Sequence, residues 1–249
     1  LLKDLKQANA RLAASEAHKH TLSDAIDRYV QDHLPALSTS AQKNQRTQLN
    51  WWRQEYGHLS LEMLQAPVLA KARDRLLKRR KPDGSIYAPA TTVRYLMGLG
   101  TVLRTAVKEW HWIPSNPITD ISKPKVENAR VRFLSDEEIP RLLDACRESE
   151  SAHLYTVVRM LLTTGARKME ILGLDWRDID FATSIVVLRD TKNGDVRTVH
   201  LDGEVAEILR ARRGISGLVF PGPRKPSQPA DITVAWRSAL RRAGIEDFH

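Results

Sequence analysis

The sequence predicts a mainly α-helical protein of two domains, with a small antiparallel β-sheet confined to an α+β second domain. Three observations carry this reading. Apolar residues recur at three- and four-residue spacing through the first 117 positions. A basic, proline-bearing stretch at 118–132 has little apolar periodicity and divides the chain. Beyond it, the β-rich runs Ser184–Arg189 and Val196–Leu201 flank Lys192-Asn193-Gly194-Asp195, and Asn-Gly is the strongest short hairpin signal. The length of 249 residues suits two domains at roughly 100–200 residues each.

In order along the chain, residues 1–20 read as a polar helix with a thin stripe of Leu1, Leu5, Ala8 and Leu12, too weak to fold without a surface to pack on. Thr21 or Ser23 caps a helix carrying Ile26, Tyr29 and Val30, which ends before Pro35. The next helix starts near Ser38–Ser40, carries Leu49, Trp52 and Tyr56, and stops at Gly57. A helical stretch from Pro67 to Arg80 is broken by Lys81-Pro82-Asp83-Gly84. A long helix then runs from Pro89 to Trp112, with Val93, Leu96, Leu99, Leu103, Ala106 and Val107 on one face, and Pro114 and Pro117 stop it. Residues 21–117 thus form one helical domain. After the linker, Ser135 caps a helix with Glu138 at the capping-box position. Leu154–Leu162 is a core helix, Leu218-Val219-Phe220 is a candidate third strand, and a last helix from Thr233 to Ala243 ends at Gly244. Residues 133–249 are the second domain.

Charge narrows the function classes. The chain holds 39 Lys+Arg against 30 Asp+Glu, a net charge of +9. Residues 1–100 hold 16 basic and 9 acidic side chains, so most of the excess lies there. Within that region Lys71, Arg73, Arg75, Lys78, Arg79, Arg80 and Lys81 are opposed only by Asp74. A solvated helix face is the plain reading of one such run. With the second cationic stretch, Lys123, Lys125, Arg130 and Arg132, the balance moves to a polyanion, which relieves the repulsion and releases its own counterions. These cations have few amides or apolar groups between them, so they suit phosphates better than base edges. A single cysteine, Cys146, has no intrachain disulfide partner, which points to a reducing cytoplasm. No apolar run approaches the roughly 18 residues of a membrane span. The eight histidines show no paired metal-ligand spacing, so no metal is expected.

The stretch of densest chemical information is Thr163-Thr164-Gly165-Ala166-Arg167-Lys168-Met169-Glu170-Ile171-Leu172-Gly173-Leu174-Asp175-Trp176-Arg177-Asp178-Ile179-Asp180. Gly165 permits a sharp turn, Arg167 projects from the first turn of a helix, and Glu170 at i+3 lies on the same face to orient its guanidinium. Taken alone, this is also what an ordinary ion pair over a core of Ile171, Leu172, Leu174 and Trp176 would look like.

As a whole the stretch resembles the first signature box of the tyrosine recombinases, the phage integrase family: Thr-Gly-x-Arg, an acid three residues on, then Leu-x-Leu-x-Trp-x-Asp-Ile. Thr191-Lys192-Asn193 is similar to the family's hairpin turn, whose lysine is a general acid. His249, after Arg242-Ala243-Gly244, matches the histidine that opens the second box, whose arginine and later nucleophilic tyrosine find no match here. None of Tyr29, Tyr56, Tyr87, Tyr95 and Tyr155 stands in the nucleophile's place. Residues 21–117 resemble the family's core-binding domain in arrangement, and 1–20 a remnant of an arm-binding region.

The resemblance implies a site-specific recombinase, cutting and rejoining duplex DNA through a 3′-phosphotyrosyl intermediate without cofactor, as a homotetramer on synapsed sites. The two domains would form a clamp around DNA. Arg167 would clamp the phosphate, Glu170 orient it, Lys192 protonate the leaving 5′-oxygen and His249 hydrogen-bond the phosphate. The chain is expected to be C-terminally incomplete, binding DNA without cleaving it. The alternative is a non-catalytic DNA-binding or excision-control protein on the same scaffold, which has no need of Arg167, Glu170, Lys192 and His249 together.

Overall fold

The computed structural model describes residues 15, 17–126, 132–189 and 196–248. The expected stripe at Leu1–Leu12 and the site residues Arg130, Lys192 and His249 lie outside the described residues, as does the Asn193-Gly194 turn. The chain divides into two compact units, Leu1–Ala129 and Arg130–His249.

The first unit is helical: α1 (Leu22–Asp32), α2 (Thr39–Tyr56), α3 (Ala66–Leu77) and α4 (Pro89–Lys108). Thr21 caps α1 through a reciprocal box with Asp24, and Ser38 caps α2. Their apolar faces close over one core that includes Leu22, Ile26, Leu49, Trp52, Leu69, Leu96, Leu99 and Leu103. Each fully buried leucine contributes about 1.5–3 kcal/mol against exposure to water. Trp52 is fully buried, and its indole N–H is satisfied by the carbonyl of Tyr95 at 2.9 Å. Gly57 does end α2, but in right-handed rather than left-handed geometry. Its side chain is excluded by contact: a Cβ there would lie 2.3 Å from the Arg53 carbonyl oxygen and 2.5 Å from the Ser23 hydroxyl.

Several boundaries differ from the sequence reading. Helix α4 stops at Lys108, four residues short of Trp112. The chain folds back through His111, whose φ is +55°, so that Trp110 and Trp112 pack together and the Arg28 guanidinium sits over both rings at 4.9 and 5.0 Å. Helix α3 ends at Leu77, so Arg79–Lys81 belong to a turn in which Arg80 bridges Ile86. Part of the assigned linker is core: Pro117–Asp120 is a 3₁₀ turn, and Ile118 and Ile121 are buried with the first unit's helices. Asn116 fastens this turn, donating from its side-chain amide to the Gly100 carbonyl at 2.9 Å and accepting from the Ile118 N–H at 3.1 Å.

The second unit contains α5 (Glu138–Arg147), α6 (Leu154–Thr164), α7 (Lys168–Leu172), β1 (Ile179–Asp180), β2 (Ile185–Leu188), β3 (Arg197–His200), α8 (Gly203–Ala211) and α9 (Thr233–Arg242). The sheet is antiparallel in the order β1-β2-β3, with Ile179 opposite Val186 and Val186 opposite Val199. The expected hairpin strands are present, but the third strand is β1 and not Leu218–Phe220. Asp175 caps the Trp176–Asp178 turn, which delivers the chain in extended form beside the next strand. Leu218 makes only an isolated bridge to Asp175, and Phe220 is fully buried in the core. The Ser135–Glu138 capping box forms as read, with Ser135 Oγ accepting from the Glu138 N–H at 3.2 Å and Glu138 accepting from the Ser135 N–H at 2.9 Å. Helix α9 ends at Gly244 in left-handed geometry.

Candidate functional site

Helix α6 closes on Gly165 at φ +61°, a conformation that an L side chain adopts only with strain. The Thr164 hydroxyl donates to the Met160 carbonyl at 2.6 Å and accepts from the Ala166 N–H at 3.2 Å, so the reversal is held from both sides. Arg167 follows in extended geometry as the residue before α7. Its side chain is 56 % exposed, whereas that of Glu170 is 2 % exposed. Glu170 is on the inner side because α7 is one short turn whose next residues, Ile171 and Leu172, are core.

A buried carboxylate has to be paired, and this one is paired three times. One oxygen accepts from Arg167 Nη1 at 2.7 Å. The other accepts from the Arg167 backbone N–H at 2.9 Å and from Arg197 Nη2 at 3.0 Å. The Glu170 carboxyl is held down at about 2, mainly by the Arg167 N–H, then by the Arg167 guanidinium, against the effect of burial and with Arg197 adding less. Two guanidiniums on one carboxylate leave the group with a net positive charge. Such a group, with a planar donor fork facing solvent, is suited to an oxyanion.

Arg197 escaped the sequence reading. Sheet register explains its position: it lies opposite Leu188, on the same face as that buried residue. Its stem therefore runs on the core-facing side while the head reaches Glu170, 27 positions away. The available signal was a lone cation in a strand whose neighbour Val199 faces inward.

The basic cluster of the first unit is partly occupied. Arg73 donates to the Ser122 carbonyl at 3.0 Å and to its hydroxyl at 2.9 Å, and also pairs with Asp74. Arg75 pairs with Glu55 of α2, an acid that the linear sequence did not place near it. Arg79 donates to the Tyr95 hydroxyl at 2.9 Å and lies over the rings of Tyr87 and Tyr95. Arg80 donates to the Gly84 carbonyl at 2.7 Å. Lys71, Lys78 and Lys81 are exposed, as are Lys123 and Lys125. In the second unit Arg132 is forked onto Glu138 at 2.9 and 2.5 Å, and this pair with the Ser135 N–H holds the Glu138 carboxyl at about 2. Among the described residues no group of three His, Cys, Asp or Glu side chains is placed to hold a metal ion. No helix among the described residues is long and apolar enough to cross a membrane.

Comparison with known proteins is consistent from sequence to fold. The model described as "Phage integrase family" matches residues 132–249. An integrase of Salmonella phage P22 is 26 % identical over 82 % of this chain and 60 % of its own length. A shufflon-specific DNA recombinase of Escherichia coli is 29 % identical over 93 % of this chain and 59 % of its own length. The chain thus spans about six-tenths of these curated relatives. Among solved structures, a lambda integrase dimer bound to a COC′ core site superposes with a TM-score of 0.70 at 18 % identity, over 91 % of this chain and 82 % of that one. A Tn1549 transposon integrase in complex with transposon right end DNA gives 0.70 at 16 % identity, over 92 % and 80 %.

Proposed function

We propose, from the match of residues 132–249 to the phage integrase family, that the chain is a tyrosine recombinase and supplies the DNA-binding and phosphate-clamping parts of a site-specific recombinase. The observation that carries the reading is the buried Glu170 holding the exposed Arg167 within a net-positive group, inside the box Thr163–Asp180.

In the proposed reaction a tyrosine oxygen attacks the scissile phosphorus, the bond to the 5′-oxygen breaks, and the strand is held as a 3′-phosphotyrosyl ester. A free 5′-hydroxyl reverses the step. Arg167 binds a non-bridging oxygen, whose charge concentrates in the transition state, and Glu170 fixes the plane of the fork. Lys192 gives its proton to the leaving 5′-oxygen, and His249 hydrogen-bonds the phosphate. The partner is duplex DNA, met by the exposed lysines of the first unit and of residues 123–125, with four protomers acting on synapsed sites. None of the five tyrosines occupies the nucleophile's place, so these 249 residues are expected to bind duplex DNA without forming a covalent link.

The test is a suicide duplex carrying the recombination site. In a recombinase form that contains the nucleophile, Lys192→Ala should slow cleavage by roughly 10²–10⁴ with DNA affinity nearly unaltered. A 5′-bridging sulfur, which leaves without protonation, should recover much of that loss. No recovery removes Lys192 from the acid role. A covalent adduct formed by these 249 residues alone returns the nucleophile to one of Tyr29, Tyr56, Tyr87, Tyr95 and Tyr155.

A further inference from the structure

We infer that Arg197 is a positioning residue for Arg167: by occupying one oxygen of Glu170 it keeps the Arg167–Glu170 pair from closing into a neutral ion pair, and it ties the orientation of the phosphate clamp to strand β3. The naming of the anion as a scissile phosphate rests on the recombinase reading. The geometry does not.

A carboxylate and a guanidinium prefer a two-pronged contact, in which both oxygens meet the same fork. Arg167 does not make it. Only Nη1 reaches the carboxylate, at 2.7 Å, because the second oxygen is already taken by the Arg167 backbone N–H at 2.9 Å and Arg197 Nη2 at 3.0 Å. The remaining donors of Arg167 stay free of Glu170 on a side chain that is 56 % exposed. Without Arg197, that second oxygen would keep only the backbone donor and would draw the rest of the Arg167 fork inward.

Charge acts in the same direction. Arg167 and Glu170 alone sum to zero, and a neutral pair attracts an oxyanion weakly. Arg197 restores one positive charge at close range, with its own side chain 42 % exposed. Its place in the sheet makes the arrangement sensitive to register. Arg197 is the first residue of β3, opposite Leu188 at the end of β2, and Lys192 lies in the sequence between those two strands. A slip of one residue would turn Arg197 to the other face and release Glu170. The same strand pairing that places the hairpin therefore sets the arginine clamp.

The experiment uses the 249-residue protein labelled with ¹⁵N-arginine, with Arg167 signals assigned through Arg167→Lys. In the parent, the Arg167 Nη resonances should be separate and its Nε–H slow to exchange. In Arg197→Met, those resonances should merge or shift, and Nε–H exchange should change by about tenfold or more, the effect of losing a charged hydrogen-bond network. Arg197→Lys, which restores charge and one donor, should recover more than half of the change, and a purely packing role would not show that rescue. Should Arg197→Met fail to fold, Arg197→Gln, which keeps a donor but not the charge, is read in the same way. Arg167 signals identical in the parent and in the folded Met or Gln variant overturn the proposal. A parallel cleavage assay in a nucleophile-containing form should show kcat lowered with KM nearly constant for Arg197→Met, again rescued by Lys. If Arg167→Ala leaves cleavage intact while Arg197→Met still perturbs the Arg167 signals, the recombinase reading fails and the positioning inference stands.

Discussion

The clustered arginines Arg73, Arg75, Arg79 and Arg80 of the first unit and the two arginines on Glu170 are held differently. Arg73, Arg75 and Arg80 meet hydroxyls, carbonyls and acids at the surface, contacts that water and salt readily replace. Arg167 and Arg197 share a carboxylate that is 2 % exposed, so losing either one leaves a buried charge with fewer partners and changes how the other arginine is held. A dense run of cations produces a field, whereas a buried counter-ion produces a direction. The first suits a polymer of phosphates, and the second suits one phosphate.

The largest effect that would break this contrast is removal of the buried acid. Glu170→Ala leaves two guanidiniums facing each other without a carboxylate. In the proposed cleavage reaction it should lower kcat by roughly 10²–10³, as for the loss of an oriented charge-stabilising group. Unaltered single-turnover cleavage would mean that Arg167 orients itself, and the contrast would vanish.

Acid should separate the units next. Glu170, Glu138 and Asp175, all in the second unit, are held at about 2, each by a hydrogen-bonded arginine together with backbone N–H groups. In the unfolded chain such groups titrate at about 4.3 for Glu and 3.9 for Asp. A carboxyl lowered on folding stabilises above its unfolded value, and that stability drains away as pH falls through the folded one. Between about pH 4.5 and 2 the second unit should therefore lose amide hydrogen-exchange protection ahead of the first. In the first unit Asp24 and Asp83 are lowered by Thr21 and Ser85, with no arginine of comparable reach. Earlier loss of protection in the first unit would contradict this ordering.

A smaller effect distinguishes two neighbours within the basic run. Arg79 packs over Tyr87 and Tyr95 and bonds the Tyr95 hydroxyl, so Arg79→Ala should destabilise the first unit by about 1–2 kcal/mol. Arg80→Ala, losing one exposed bond to a turn carbonyl, should fall within about 0.5 kcal/mol of the parent. Urea midpoints of the two variants read the difference, and equal midpoints would return Arg79 to the pool of free surface cations.

The smallest effect belongs to single phosphate contacts in the proposed DNA complex. Lys71→Ala and Lys78→Ala should each reduce the slope of log K against log salt by about 0.9 with little change in fold. An unchanged slope for both would place this face of α3 away from DNA.

What the sequence by itself determined was local. The capping boxes at Thr21–Asp24 and Ser135–Glu138, the left-handed stop at Gly165 and the Arg167–Glu170 pairing all operate over three or four residues, and all form as the residues dictate. The two hairpin strands were legible for the same reason, since alternation and a turn residue are local signals. Tertiary structure decided the partners that lie far apart in the chain. It placed Arg197 on Glu170 across 27 positions, Arg75 on Glu55, and Arg73 on Ser122 across 49. It also ended α4 early, because two tryptophans gain more by folding back over Arg28 than by extending a helix into water. Backbone periodicity and capping are short-range and repeat along the chain. Which charge neutralises which is settled only when packing fixes the distances and removes the water between them.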